Sequence, residues 1–309
     1  MTRIIKVAAA QLGPIQKAED RKTVVERLLN LLCDAKKKKC DLVVFPELAL
    51  TTFFPRYYVE DHAAMDNWFE NDMPNAIVEP LFNYAKTHEI GFSIGYAEKT
   101  ASNERYNTSI LVDKKGDIIG KYRKIHLPGH SEYETNRRWQ HLEKRYFKIG
   151  NLGFPVWRTM GGIIGMCICN DRRWPETFRI MGLQGVELVM LGYNTPKLNS
   201  LNKDESEQTR MHQNHLCMQA GAYQNACWVV GAAKAGNEDG FALMGGSCIV
   251  NPAGEIVAIA KTEEDEIIAS ECDLDDCNFP KETLFNFNSH RQISHYKLIC
   301  SQAGVKVNK

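Results

Sequence analysis

Short, almost wholly apolar runs alternate along this chain with longer stretches in which apolar residues return every three or four positions. That is the alternation expected when strands and helices take turns in a layered α/β domain. The apolar runs predict strands over residues 5–12, 41–45, 91–97, 109–112, 117–121, 162–168 and 186–191, and in the last third near 227–233, 247–250, 255–259 and 267–272. Val24, Leu28, Leu31 and Leu32 share one face of an early helix, and the lysine run at 36–39 suits the negative pole at its end. Further helices are expected over 75–88, 175–183 and 205–226.

An internal repeat sharpens this picture. Ser109-Ile-Leu-Val-Asp-Lys-Lys-Gly116-Asp-Ile-Ile is echoed by Ser247-Cys-Ile-Val-Asn-Pro-Ala-Gly254-Glu-Ile-Val, two strands joined by a turn with glycine in the same place. Asp41-Leu-Val-Val-Phe and Glu187-Leu-Val-Met-Leu form a weaker second match. Together they predict two related halves whose sheets face each other, each covered by helices, in place of one open sheet. No linker or low-complexity tract divides the chain, so residues 1–309 are read as a single domain.

Composition narrows the partners. Lysine plus arginine and aspartate plus glutamate each number 38, so no long-range field gathers polyanions or acidic membranes, and nucleic acid is not an expected partner. No apolar stretch approaches a membrane span, and the opening run at 4–12, interrupted by Lys6, is too short for a signal peptide, which makes the cytoplasm the expected location. Ten cysteines, mostly in apolar surroundings, read as reduced and buried thiols and not as a disulfide framework.

Candidate chemistry stands at three junctions where an apolar strand ends and a turn begins, the edge at which ligands bind in open α/β sheets. They are Val43-Val-Phe-Pro-Glu47, Gly120-Lys-Tyr-Arg-Lys124-Ile-His126 and Gly165-Met-Cys-Ile-Cys169-Asn-Asp-Arg-Arg-Trp. Singly, each has an ordinary structural reading: a solvated glutamate, a surface lysine, a small buried cysteine. Jointly they offer a carboxylate, an ammonium and a thiol.

These segments, in this order, resemble the nitrilase superfamily of carbon–nitrogen hydrolases, whose catalytic set runs Glu, Lys, Cys along the chain. The resemblance extends from Ile5 to about Ile299. It is strongest to the branch acting on N-carbamoyl-D-amino acids, in FPELALTTFFPR (45–56), GKYRKIHLPGH (120–130), QHLEKRYF (140–147), ICNDRRWPET (168–177), GYNTP (192–196) and FNFNSHRQ (285–292). It implies a four-layer α-β-β-α sandwich of two pseudo-related halves that pairs through helical faces into a homodimer or homotetramer, with the segment 280–309 at a subunit interface. It also implies a small-molecule N-carbamoyl amino acid as substrate, no metal and no cofactor. Glu47, Lys124 and Cys169 are then the catalytic residues, Glu143 a second acid bonded to the lysine and to the substrate nitrogen, and His126 and His141 loop-holding neighbours.

The chemistry sets a requirement. A thiol near pKa 8.5 and a carboxylic acid near 4.3 differ by roughly 4 units, about 6 kcal/mol against proton transfer. A closed cavity would narrow that gap from both sides, burial raising the acid and the ammonium lowering the thiol. Cys169 is expected to attack the ureido carbonyl, Glu47 to take the thiol proton, and Lys124 with the backbone N–H of Asn170 to hold the developing oxyanion. Arg172 and Arg173 are expected to grip the substrate carboxylate as a guanidinium fork, with Asn194 and Thr195 as polar contacts to the same group.

Other substrates keep the chemistry: N-carbamoyl-β-alanine retains the carboxylate, a simple amide retains the scissile bond, and N-carbamoylputrescine is disfavoured by paired arginines. A metal or redox protein built on Cys167-Ile-Cys169 and His212-Gln-Asn-His215 is a reading of another class. An inactive scaffold is disfavoured because Glu47, Lys124 and Cys169 are all present. The chain departs most from the family pattern at 57–65 and 196–210, which leaves side-chain preference open, as residues alone leave D against L.

Overall fold

Along the first strand, β1 (Ile4–Gln11), Val7 and Ala9 face one apolar cluster while Ala8 and Ala10 face another. A strand buried on both faces needs apolar residues at every position, which is why these strands read as continuous runs. The computed structural model describes residues 2–61 and 63–307. Outside the described residues lie Met1, His62, Asn308 and Lys309, and with them both ends of the expected domain and one position of the 57–65 stretch.

The first sheet has β1, β2 (Leu42–Val44) and β3 (Gly91–Lys99) parallel, with β4 (Arg105–Val112) and β5 (Ile118–Arg123) antiparallel beyond them. Helices α1 (Arg21–Lys37) and α2 (Glu79–His88) cover its outer face through Val24, Leu28, Leu32, Leu81 and Ala85. The second half repeats the plan. Strands β7 (Gly162–Ile168), β8 (Leu188–Tyr193) and β9 (Trp228–Ala233) are parallel, β12 (Cys248–Val250) and β13 (Ile256–Ile259) antiparallel, and α4 (Pro175–Leu183) and α5 (Glu207–Asn225) pack outside them. Strand β14 (Glu266–Asp273) closes the first sheet beside β1, and β6 (Val156–Thr159) closes the second beside β7.

This is the four-layer α-β-β-α sandwich, and both echoes fall on equivalent strands: β4–β5 on β12–β13, and β2 on β8. Their turns are built alike. Gly116 and Gly254 have φ of 81° and 84°, and the side chains of Asp113 and Asn251 accept from the N–H groups of Asp117 and Glu255, respectively. Among the described residues no helix is long and apolar enough to cross a membrane.

Some expectations need correcting. The helix expected from residue 75 starts at Glu79, because the Asn75 side chain accepts from the N–H groups of Ile77 and Val78 and holds that stretch as a turn. Three short strands and a one-turn helix escaped the periodicity: β6, the hairpin β10 (Ala235–Glu238) and β11 (Phe241–Met244), and α3 (Glu143–Tyr146). A third apolar cluster, including Leu48, Phe53, Phe54, Phe69, Leu142 and Phe147, packs the chain after β2 against α3 and so fixes α3 beside the strand ends.

Candidate active site

Beyond β2 the backbone turns sharply at Pro46 and Glu47 in a slot between the two sheets. Gly95 N–H donates to Pro46 O at 3.2 Å and Ala49 N–H to Gly95 O at 2.8 Å. A Cβ on Gly95 would lie 2.8 Å from Glu47 Cα, and one on Gly192, from the opposite sheet, 2.6 Å from Glu47 N. Only glycine permits such an approach from both sides. The Glu47 side chain is completely buried as a result.

Lys124, at the end of β5, is equally buried and donates to Glu47 Oε1 at 2.7 Å and to Glu143 Oε2 at 2.6 Å. Asn107 on β4 donates to Glu47 Oε1 at 2.7 Å, Asn194 N–H to Glu47 Oε2 at 3.0 Å, and Asn194 Nδ2 to Glu47 O at 2.9 Å. His141 Nε2 lies 3.0 Å from Glu143 Oε1. Burial by itself would lower the lysine, but the carboxylates of Glu143 and Glu47 override it and raise its pKa, so Lys124 is an ammonium. Burial would likewise raise Glu143, yet the Lys124 ammonium and His141 hold it below the usual range, as a carboxylate.

Cys169 follows β7 with φ +47°, the left-handed region that a side chain adopts at a cost, and opens a 3-10 turn, Cys169–Arg173. The N–H of Asn170 lies in the first turn, where no carbonyl within that helix can receive it. The turn is pinned by Asp171, which accepts from the Tyr122 hydroxyl at 2.7 Å, from Ile168 N–H at 2.9 Å and from His126 N–H at 3.0 Å, with His126 Nδ1 at 2.8 Å. Asn170 Nδ2 donates to His126 O at 3.0 Å. Loop 124–126 and the cysteine turn are thus one bonded unit.

The Cys169 thiol donates to Asn194 O at 3.4 Å. Burial and the Glu47 carboxylate push its pKa up, against the opposing pull of Lys124. The expectation that the ammonium would bring the thiol down is corrected: at neutral pH the sulfur keeps its proton until a base removes it.

The expected pair of arginines is divided. Arg172 is buried, donates to Cys169 O at 2.5 Å and to Thr195 Oγ1 at 2.9 Å, and lies 4.6 Å over the Tyr193 ring. It braces the Cys169 turn through both terminal nitrogens, with Nε left unpartnered among the described residues, whereas Arg173 beside it is exposed, so the two guanidinium groups do not form the side-by-side fork expected. Thr195 and Asn194 are likewise bonded inward, to Arg172 and to Glu47. A cavity of about 170 Å³ opens beside Cys169, and Arg173, Arg210, Asn194, Thr195, His141 and Trp139 are among the residues that line it. The neighbouring guanidinium of Arg172 lowers the Arg173 pKa to about 10. Among the described residues Arg173 has no acidic partner, only a 3.4 Å bond to Asn170 Oδ1. Of the residues considered for a metal, Cys167 lies in the core between the sheets and His215 Nε2 is 3.0 Å from Gly246 O.

With this geometry in view, the sequence profile of the carbon–nitrogen hydrolase family matches residues 6–280. The chain belongs to that family. The N-carbamoylputrescine amidase of Oryza sativa subsp. japonica is 28% identical over 313 residues, covering 98% of this chain and 96% of that protein. That of Solanum lycopersicum is 29% identical over 284 residues, covering 88% and 87%. The crystal structure of a carbon–nitrogen hydrolase from Helicobacter pylori G27 aligns with a TM-score of 0.81 and 26% identity over 97% of this chain and 99% of that one.

Several residues of this carbon–nitrogen hydrolase site were not anticipated. Asn107 touches both buried acids, at 2.7 Å to Glu47 and 3.4 Å to Glu143. Its signal was present, since alternation along β4 puts Asn107, Ser109 and Leu111 on the face turned toward the other sheet. Asp171 lay within a recognised motif, and its role as the pin of two loops follows only from their meeting in space. Arg210 lies in the stretch that departs from the family pattern, where it donates to Glu205 at 2.8 Å.

Proposed function

We propose that this carbon–nitrogen hydrolase cleaves the carbamoyl C–N bond of a small ureido compound that carries a carboxylate, the class that holds N-carbamoyl-β-alanine and the N-carbamoyl-D-amino acids. The observation that carries the reading is Arg173, a guanidinium in the wall of the Cys169 cavity with no acid among the described residues to neutralise it and its pKa lowered by Arg172. A carboxylate there relieves that repulsion, whereas the terminal ammonium of N-carbamoylputrescine adds to it. The names of the two plant relatives support a ureido head group; the handle for the rest of the molecule is this chain's own. Asn194 Oδ1, a buried acceptor without a partner among the described residues, suits a ureido or amide N–H.

In this mechanism Glu47 takes the Cys169 proton as the sulfur attacks the carbonyl carbon, and Lys124 with Asn170 N–H receives the charge on oxygen. The C–N bond breaks as Glu47 passes its proton to the leaving nitrogen. Glu47 then deprotonates a water that attacks the S-carbamoyl thiocarbamate; the C–S bond breaks, Glu47 returns the proton to the sulfur, and the carbamic acid released decomposes to ammonia and carbon dioxide. Glu143, bonded to Lys124 and His141, keeps the ammonium aimed at the oxyanion. A simple amide is the second reading, favoured by the small cavity beside the sulfur.

Ammonia release from N-carbamoyl-β-alanine, paired N-carbamoyl-D- and L-amino acids, N-carbamoylputrescine and a short aliphatic amide tests both, with Cys169→Ala as control. Turnover of the carboxylated ureido compounds, lost in Cys169→Ala and with KM raised at least tenfold in Arg173→Lys, is expected. Preference for the putrescine derivative or for the uncharged amide overturns the carboxylate reading. The segment 280–309 belongs, in the same proposal, to the interface of a homodimer or homotetramer, which is supported by the exposure of Leu284, Ile293, Leu298 and Ile299.

A further inference from the structure

A second cavity of about 280 Å³ adjoins the one that holds Cys169, and Trp139, His141, Pro196 and Leu198 line both. Its own walls are largely apolar: Phe53, Phe241 and Leu243, with Phe241 and Trp139 edge to face at 6.4 Å. One cation, Arg56, lies among them but is neutralised. Its guanidinium is 2.8 Å from Glu238, with both side chains buried, and stands 4.8 Å over the Phe241 ring and 5.6 Å over Phe53. A cation whose charge is met by a carboxylate and whose faces are covered by rings behaves as part of an aromatic wall. The exposed Arg138 stands at the same chamber.

The chamber and the reactive centre share a backbone. Met244 N–H donates to Thr195 O at 2.9 Å and Lys197 N–H to Ala242 O at 2.9 Å, so the β10–β11 hairpin that carries Phe241 is stitched to the strand end that carries Asn194. Glu238 on β10 also receives Phe53 N–H at 2.6 Å, which ties the opposite wall to the same hairpin. The chamber is therefore held against the Cys169 cavity by shared backbone and by four side chains that line both.

We propose that this chamber receives a bulky apolar or aromatic substituent on the amine half of the substrate, so that Phe53, Trp139 and Phe241 set side-chain specificity while Arg173 holds the carboxylate. The inference rests on the carboxylated-ureido reading above and narrows it, because β-alanine derivatives have nothing to place there. A distal ammonium is repelled by Arg138 at the chamber's exposed edge, and the neutralised Arg56 gives a distal carboxylate no buried partner.

The test is steady-state ammonia release from N-carbamoyl derivatives of glycine, leucine, phenylalanine, glutamate and β-alanine, with both enantiomers where they exist. In the wild type, kcat/KM should rise at least tenfold from the glycine to the better phenylalanine enantiomer, about the effect of one or two methylene groups in an apolar pocket. Phe241→Ala should lower that phenylalanine-to-glycine ratio at least tenfold through KM. Leu198→Trp, which adds bulk to the chamber without removing a wall, should lower the same ratio, so a misfolded Phe241→Ala leaves the idea exposed to refutation. Equal rates across the series, a ratio unmoved in both variants, or preference for the glutamate derivative overturns the chamber's role while leaving the ureido reading intact. Turnover of an aliphatic amide with none of the ureido compounds accepted overturns the functional reading itself.

Discussion

In the proposed mechanism Glu47 receives a proton from sulfur and returns it to nitrogen, which requires its carboxylate to be held in one orientation. Oε1 receives Lys124 and Asn107 and Oε2 receives the backbone N–H of Asn194, leaving the carboxylate no freedom to rotate. Of the two side-chain donors, Asn107 can be removed without changing the charge balance, which makes it the cleaner probe of orientation. Asn107→Ala should lower kcat roughly ten- to a hundred-fold with little change in KM, the loss of one hydrogen bond to a charged group being about 1.5–3 kcal/mol. Ammonia-release kinetics on a variant whose melting temperature is measured in parallel would check it, and a change confined to KM would refute the orienting role. Glu47, Lys124 and Cys169 were legible because each stands where an apolar run stops. Asn107 and Asp171 were less so, because their meaning depends on which side chains from distant segments meet them.

The elements do their work by bringing backbones unusually close. Gly192 on β8 faces the Glu47 turn with no room for a methyl group, since a Cβ there would fall 2.6 Å from a backbone nitrogen that cannot yield. Gly192→Ala should cost about 1–3 kcal/mol of stability, as overpacking typically does, and should lower activity far more than any residue at this distance from substrate otherwise would. Thermal unfolding and kinetics on one preparation separate the two effects; full activity would show that the turn has slack. A second element-level prediction concerns Glu98 on β3, which accepts from Arg123 and Lys121 on β5 and from Thr108 on β4. Burial alone would raise its pKa, but these donors bring it down to about 2. A lowered pKa contributes stability that is present above the ordinary value of about 4.5 and is lost as pH falls toward 2. The contribution is roughly 3 kcal/mol, and Glu98→Gln should therefore flatten acid unfolding in that window while lowering stability at pH 7. The parallel strands and long helices were readable from periodicity because burial on both faces or on one stripe imposes it. The β10–β11 hairpin was not, since Ala-Gly-Asn-Glu has little intrinsic strand preference and is held instead by bonds from Ala235 N–H to Leu12 O and from Met244 N–H to Thr195 O.

Across the whole molecule, the first half supplies Glu47 after β2 and Lys124 after β5 and the second supplies Cys169 after β7, so the site exists only where the sheets face each other. What holds the outer layers is less complete within one chain. On the face of α4, Ile180 and Leu183 are exposed, and with Leu284 and Ile299 of the final segment, each 60% exposed or more, they line a groove of about 690 Å³. Scattered apolar residues need no explanation, but a groove of this kind is the surface that the proposed homo-oligomer would cover. Because α4 begins two residues after Arg173, covering that patch would also steady the turn that carries Cys169. Leu284→Asp combined with Ile299→Asp should convert the proposed oligomer to the 35.1 kDa monomer in sedimentation and lower kcat several-fold, since both line the groove against α4 and neither lines the Cys169 cavity, so any loss must travel through α4. A wild type that sediments as a monomer, or a variant that dissociates with kcat unchanged, would break the link between assembly and the nucleophile's turn.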